Sequence, residues 1–215
     1  MDEQLVLHTY WRSTASWRVR IALALKRLDW QPQFHHLRKS EQSAPAYLAI
    51  NPQGLVPALE TAGTVLTQSL AICEYVEEMW PQPPLLPADP LARAHVRAFA
   101  QAIACDIHPV QNLRVLRMLR ARGQDQAAID GWAREVIESG LAACARLIGQ
   151  IEGPFCFGHS VTLADLTLVP QMANARRFGA RVDFPRLEAI DTACMALPAF
   201  AQTAPDRQQD AEIGV

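Results

Sequence analysis

Trp11-Arg12-Ser13-Thr14-Ala15-Ser16-Trp17-Arg18-Val19-Arg20-Ile21-Ala22-Leu23-Ala24-Leu25-Lys26-Arg27-Leu28 is the stretch from which the rest of the chain is read. Just ahead of it, the apolar run Leu5-Val6-Leu7 has the character of a buried strand. Small polar residues come first (Ser13, Thr14, Ser16), and then Trp17, Ile21, Leu25 and Leu28 recur at the three- and four-residue spacing of one helix face. The pattern predicts strand, short polar turn and helix, with the helix beginning near Ser16. A helix N-terminus exposes unpaired N–H groups and a partial positive charge, so it suits an anion. Ser13 in the turn can donate its hydroxyl to that anion, and Arg12 can hold a second negative group. The competing reading is a plain cap that satisfies only the helix itself. These residues alone leave both readings open.

Working outward, Trp30 to Leu37 is strand-like but contains Pro32, which cannot donate to a ladder, so an edge strand is expected. His35 and His36 at its end read as surface polar groups rather than ligands. A short helix is expected around Ala46 to Ala49, and Asn51-Pro52-Gln53-Gly54 is a turn signal. Leu55-Val56-Pro57-Ala58-Leu59-Glu60 reads as a strand with proline at its start, and Ala62-Gly63 as a hairpin turn before Val65-Leu66. Gln68-Ser69 open a second amphipathic helix with Leu70, Cys73, Tyr75, Val76 and Met79 facing inward. Ser69 repeats the first motif, a hydroxyl beside free N–H groups that fits a carboxylate, and again a plain cap is the alternative. Two helix N-termini thus open on one side of an α/β unit.

The proline-rich run Pro81-Gln82-Pro83-Pro84-Leu85-Leu86-Pro87 marks a domain boundary, because it can be neither helix nor central strand. The expected domains are residues 1–82 and 88–215. Past Asp89 the pattern is helical throughout. Residues 89–122 hold a long apolar-periodic helical stretch that Pro109 should kink or break, with Arg114, Arg117, Arg120 and Arg122 as a solvated face. A second helix is expected from about Gln124 to Gln150, ended by Gly153-Pro154. Thr162-Leu163-Ala164-Asp165 has the form of a capping box, and the helix it opens is apolar on nearly every side, as a buried central helix is. Asn174, Arg176, Arg177 and Phe178 close it, with Arg176 expected to be solvated. A last helix from about Pro185 to Leu197 precedes a polar tail expected to be disordered.

With 215 residues, half of them hydrophobic, the chain can bury a sizeable core. A formal net charge of −2 argues against a dedicated nucleic-acid binder. No apolar run approaches the ~20 residues of a membrane span, and the acidic start Met-Asp-Glu-Gln is unlike a signal peptide. Cys73, Cys105, Cys144, Cys156 and Cys194 are scattered without a Cys-x-x-Cys pair, which reads as reduced, buried thiols in a cytoplasmic protein with no metal site.

Together these features resemble the cytosolic glutathione transferases: α/β plus all-α, with a thioredoxin-like N-terminal domain followed by an all-helical C-terminal domain. Arg12-Ser13-Thr14-Ala15-Ser16-Trp17-Arg18-Val19-Arg20-Ile21-Ala22-Leu23 is similar to the signature of the zeta class. Val56-Pro57, Gln68-Ser69 and Thr162-Leu163-Ala164-Asp165 stand where that fold has its cis proline, its glutamyl-carboxylate site and its capping box. Asp106-Ile107-His108-Pro109-Val110-Gln111-Asn112-Leu113-Arg114 and Asn174-Ala175-Arg176-Arg177-Phe178 look like segments of bacterial maleylpyruvate and maleylacetoacetate isomerases. Many members carry cysteine where this chain has Ala15, so a step that relies on that thiol cannot occur here.

The resemblance implies a homodimer that uses glutathione to isomerise a maleyl keto acid to its fumaryl form in aromatic catabolism. It implies a glutathione site made by Ser13, Thr14 and Ala15 at the helix mouth, the Val56 backbone beside Pro57, and Gln68 and Ser69 on the γ-glutamyl carboxylate. Gln42 and His108 would contact the peptide, and Asn112 would line the same cleft. Arg12, Arg114 and Arg177 match the positions that face the dicarboxylate substrate, and the planar fork of arginine suits a carboxylate. A free thiol of pKa about 8.5 must drop by roughly two units, about 2.7 kcal/mol, to be mostly thiolate at neutrality. One hydroxyl hydrogen bond (about 1.5–3 kcal/mol) and one helix N-terminus (about 0.3–1 kcal/mol) are of the right size. The alternatives are a transferase that conjugates small electrophiles such as α-halo acids, and a non-catalytic glutathione-binding protein.

Overall fold

The computed structural model describes residues 4–149 and 151–212. These form two compact units, one of residues 4–84 with 197–212 and one of residues 85–149 with 151–196.

In the first unit, β1 (Leu5–Thr9), α1 (Thr14–Leu25), β2 (Trp30–Phe34), α2 (Pro45–Leu48), β3 (Ala58–Thr61), β4 (Thr64–Thr67) and α3 (Ser69–Met79) follow one another. The sheet order is β2-β1-β3-β4, with β1 parallel to β2 and the other pairs antiparallel. β2 is an edge strand, as Pro32 requires, and Pro32 lies opposite Leu7. Ala62 (φ 47°) and Gly63 (φ 70°) both take the left-handed region, which matches the twist of a two-residue hairpin.

Helix α1 begins at Thr14, two residues before the expected start, because Ser13 rather than a later residue caps it. Nor is it buried along one stripe. Every residue from Thr14 to Leu23 is buried, Arg18 and Arg20 included, while Leu25 is only half-buried and Leu28 lies past the helix end. The reason is a second covering layer: α1 packs against α3 and also against α9 (Pro198–Ala201), which belongs to the tail. The expectation of a disordered tail is therefore corrected through Glu212. Residues 197–212 group with the first unit, not with the helical one assigned from sequence. Trp17 Nε1 donates to Thr203 Oγ1 at 3.1 Å, and Ala211 packs on the cluster Tyr10, Trp11, Tyr47 and Val56. In α3, Ile72, Cys73 and Val76 point into the core, but Met79, expected inside, is exposed.

The second unit is helical. α4 (Pro90–Gln101) is capped by Asp89, whose Oδ2 accepts from Ala92 N at 2.8 Å. The stretch over 89–122, expected to kink or break at Pro109, is broken around that residue. After α4 the chain widens to a π turn over Ala102–Ile107 and tightens to a 3-10 turn over His108–Gln111. It breaks at Asn112 before α5 (Leu113–Ala121). Pro109 has no N–H to continue the ladder, and the capping propensity of Asn112 starts a new helix instead. α6 (Gln126–Leu147), α7 (Leu163–Arg177) and α8 (Pro185–Met195) complete the unit, with α7 packed against α4 and α8.

Helix α7 is the centre anticipated from its composition, with all of Leu163 to Met172 buried. Its capping box is present. Asp165 Oδ2 accepts from Thr162 N at 2.7 Å and Thr162 Oγ1 at 3.0 Å, while Oδ1 accepts from Cys156 N at 2.8 Å. Burial drives the Asp165 carboxyl up, and these N–H donors, which favour the charged form, hold it back. Of the five thiols, all free, four are buried as expected and Cys105 is exposed. Among the described residues no helix is long and apolar enough to cross a membrane.

Removing the Asp165 carboxylate strands two buried N–H groups. Asp165→Ala should lower the unfolding free energy by about 2–4 kcal/mol. Chemical denaturation measures this, and a loss under about 0.5 kcal/mol would show that the box contributes little.

Candidate active site

The first unit brings Ser13, Thr14 and Ala15 together at the start of α1. Ser13 is the N-cap: its backbone is extended and its Oγ accepts from Ser16 N at 3.1 Å. Its own amide donates to Tyr10 O at 3.0 Å, which closes the turn. Both readings of this serine therefore hold at once, since a hydroxyl that accepts with one lone pair still carries a proton to donate. No acidic side chain occupies the first turn of α1, so nothing there competes with an anion for the helix dipole. Arg12 is half-buried, its guanidinium carbon 5.3 Å from the Trp11 ring centre. That contact fixes the side chain without consuming its donors.

Several polar atoms of this region are buried without a hydrogen-bond partner among the described residues, Tyr10 Oη, Trp11 Nε1, Thr14 Oγ1, Ser16 Oγ and Gln42 Oε1 among them. Such atoms are costly unless a ligand or water satisfies them. Gln42 lies in a 3-10 turn (Glu41–Ser43) and is itself buried. The Val56–Pro57 peptide is cis, and the chain entering it is pinned at Leu55 O by Tyr47 Oη (2.6 Å) and Asn51 Nδ2 (2.7 Å).

Gln68 sits ahead of α3 with φ 69° and no side-chain cap bond, an unfavourable backbone for a residue other than glycine. Its Nε2 donates to Gln53 Oε1 at 3.0 Å, which ties it to the turn before β3. Next to it the buried Ser69 hydroxyl accepts from Arg18 Nη1 at 3.2 Å. A buried guanidinium behind an uncapped helix start makes that end doubly attractive to a carboxylate. The sequence reading found Ser69 and overlooked Arg18. The available signal was two arginines flanking Val19 in an otherwise apolar helix.

The second unit holds the other four predicted residues. His108 opens the 3-10 turn, at the point where the π turn ends. The π turn lies close to Gly140 of α6, where a Cβ would meet Ile107 side-chain carbons at 2.4 Å, so only glycine fits there. Asn112 is a helix cap: its Oδ1 accepts from Arg114 N (3.1 Å) and Val115 N (3.3 Å). Arg114 follows it, exposed in the first turn of α5. Arg177 is exposed at the end of α7, donates Nη2 to Asn174 Oδ1 and has its guanidinium carbon 5.0 Å from the Phe178 ring centre. Its neighbour Arg176 is exposed, as expected, and also pairs with Asp191 of α8 at 2.5 Å. Among the described residues no group of three or more His, Cys, Asp and Glu side chains could hold a metal ion.

A four-stranded mixed sheet whose first helix is capped by serine, a cis proline before β3 and a separate helical unit define the glutathione transferase class. The family of glutathione S-transferase N-terminal domains matches residues 12–79. The maleylacetoacetate isomerase of Pseudomonas aeruginosa is 49% identical over 208 residues, which covers 95% of this chain and 97% of that protein. The holo structure of a maleylpyruvate isomerase, a bacterial zeta-class enzyme, is 45% identical with a TM-score of 0.94, covering 96% of this chain and all of the other. A maleylacetoacetate isomerase from Anaeromyxobacter dehalogenans with glutathione bound in its active site is 44% identical with a TM-score of 0.89, covering 98% and 99%. The chain belongs to the zeta-class glutathione transferase family, to which these maleylpyruvate and maleylacetoacetate isomerases are so similar.

Because Ser13 Oγ accepts from Ser16 N, Ser13→Ala should cost about 1 kcal/mol of stability, whereas Ser13→Asn, which keeps an acceptor, should cost only a few tenths. Denaturation of the three proteins side by side measures this, and equal losses in both variants would refute the cap.

Proposed function

We propose that this protein is a glutathione-dependent cis–trans isomerase that converts a maleyl keto acid, maleylacetoacetate or maleylpyruvate, to its fumaryl isomer in aromatic catabolism. The observation that carries the proposal is the Ser13 hydroxyl at the mouth of α1, on the chain of a family whose similar members bear those isomerase names. Bound glutathione supplies a sulfur nucleophile that adds reversibly to the cis double bond, allows rotation and departs from the trans product.

The protein's own residues supply the rest. Ser13 donates its hydroxyl to the thiolate while its oxygen stays fixed by Ser16 N, and the first turn of α1 adds its dipole. These two effects, about 1.5–3 and about 0.3–1 kcal/mol, are enough to bring a thiol of pKa about 8.5 near neutrality. Ala15 leaves no protein thiol to compete at that helix mouth. Thr14 and Gln42 offer their unpartnered buried oxygens to the tripeptide's N–H groups, and the backbone at Val56, beside Pro57, pairs with its cysteinyl part. Gln68 and Ser69, with Arg18 behind, take the γ-glutamyl carboxylate. His108 and Asn112 are assigned to the peptide, and Arg12, Arg114 and Arg177 to the carboxylates of the acidic substrate, on the match to the family pattern. The protein works in the cytoplasm as a homodimer. Its free thiols suit the first, and sedimentation tests the second.

The deciding assay follows loss of the maleyl absorbance with and without glutathione. Isomerisation requires glutathione and leaves its concentration unchanged. Stoichiometric consumption would show a conjugating transferase, and no reaction in either case would show a binding protein.

Ser13→Ala and Ser13→Asn should both slow turnover at neutral pH by about tenfold to a hundredfold, with KM for glutathione changed less than about threefold. The rate should recover as pH rises, because bulk base then supplies the thiolate. Retained turnover in Ser13→Ala, which has no side-chain donor, would show that the hydroxyl proton has no role.

Arg177→Met should raise KM for the maleyl acid about tenfold or more and leave that for glutathione unchanged. Steady-state kinetics with each ligand varied separately decides this, and an unchanged KM for the acid would remove Arg177 from the substrate site.

A further inference from the structure

We propose that Arg20 of α1 and Asp210 of the C-terminal segment are positioning residues for Ser13, so that the end of the chain completes the catalytic loop. This rests on the role given to Ser13 above. Arg20 is fully buried. Its Nη1 donates to Thr9 Oγ1 (3.1 Å) and Tyr10 O (3.3 Å), its Nη2 to Trp11 O (3.0 Å) and its Nε to Thr203 O (3.2 Å). One rigid fork thus holds oxygens of three consecutive residues that lead into Arg12 and Ser13. The Tyr10 carbonyl that it grips is the one that accepts from Ser13 N at 3.0 Å. The Trp11 peptide is held from its other side too, where Asp210 Oδ2 accepts from Trp11 N at 2.9 Å.

Burying a guanidinium costs several kcal/mol unless its donors are satisfied, and an apolar side chain would fill the space without that cost. What the fork adds is geometry. It sets the turn on which the Ser13 oxygen depends, and misplacing a catalytic group by about 1 Å can cost about a hundredfold in rate. The tail is held in place independently of Asp210. Thr203 accepts from Trp17 Nε1, Ala211 packs on the Trp11 and Val56 cluster, and Glu212 Oε1 meets His36 Nε2 at 2.7 Å. The charged and titratable groups around this loop are Arg12, Arg20, His36, Arg38, Asp210 and Glu212. Burial lowers the Arg20 pKa to about 9, so it remains charged at neutral pH.

The test titrates the ultraviolet thiolate absorbance of glutathione bound to the full-length protein, together with turnover against pH. Asp210→Ala should raise the apparent pKa of the bound thiol by about one unit, so that turnover at neutral pH falls about tenfold and recovers at higher pH. KM for glutathione should move less than about threefold, and Asp210→Asn, which keeps an acceptor for Trp11 N, should behave like the parent within about twofold. Arg20→Lys keeps the charge but loses the fork, and should shift the thiol in the same direction. It serves as the readout if Asp210→Ala does not fold. A lowered Tm with an unmoved thiol pKa in these variants would mean a purely structural role and overturn the proposal. Ser13→Ala run alongside separates the two layers. If it shifts the thiol and the positioning variants do not, this proposal alone falls. If it shifts nothing, the reading of Ser13 falls and this one with it.

Discussion

The Ser13 hydroxyl does two things that chemistry permits together. A helix start needs an acceptor for its orphaned amides, and Ser13 Oγ supplies one to Ser16 N. The same oxygen keeps a proton that it can direct outward, at the positive end of the helix dipole. Because the cap fixes the oxygen, the hydroxyl is preorganised before any ligand arrives. The architecture of the first unit follows from keeping that oxygen in place. β1 delivers the chain to the turn, the Tyr10 carbonyl closes it, and α1 is buried from Thr14 to Leu23, which anchors its N-terminus.

A second helix start is built on the same plan with different means. At α3 the cap side chain is missing, the Gln68 backbone takes an unfavourable φ, and a buried arginine stands behind the Ser69 hydroxyl. Two positive helix ends thus open in one unit, one presenting the Ser13 hydroxyl and the other the Ser69 hydroxyl with Arg18 behind it. In the second unit the corresponding devices are irregular helix. A π turn and a 3-10 turn bring His108 to the start of a break, and Asn112 caps the helix that carries Arg114.

Much of this was legible in the sequence where a local rule acts alone. The edge position of β2 follows from Pro32, the hairpin from Ala62-Gly63, and the start of α7 from the Thr162–Asp165 box. The serines at both helix starts were visible for the same reason. What the sequence did not show depends on contacts between distant segments. Arg18 and Arg20 look like surface residues of an amphipathic helix until α3 covers the first and the tail covers the second. Asp210 lies in a polar stretch that reads as disordered, because its partner Trp11 N is 199 residues away. The π turn escaped because it depends on how closely Gly140 lets α6 approach, which no periodicity encodes.

The central claim is most directly tested by a crystal structure of the protein with glutathione bound. The account predicts the tripeptide's sulfur within hydrogen-bonding distance of Ser13 Oγ, about 3–3.5 Å, with Ser16 N still donating to that oxygen. A sulfur held by some other group, or a Ser13 hydroxyl turned away from it, would contradict the account.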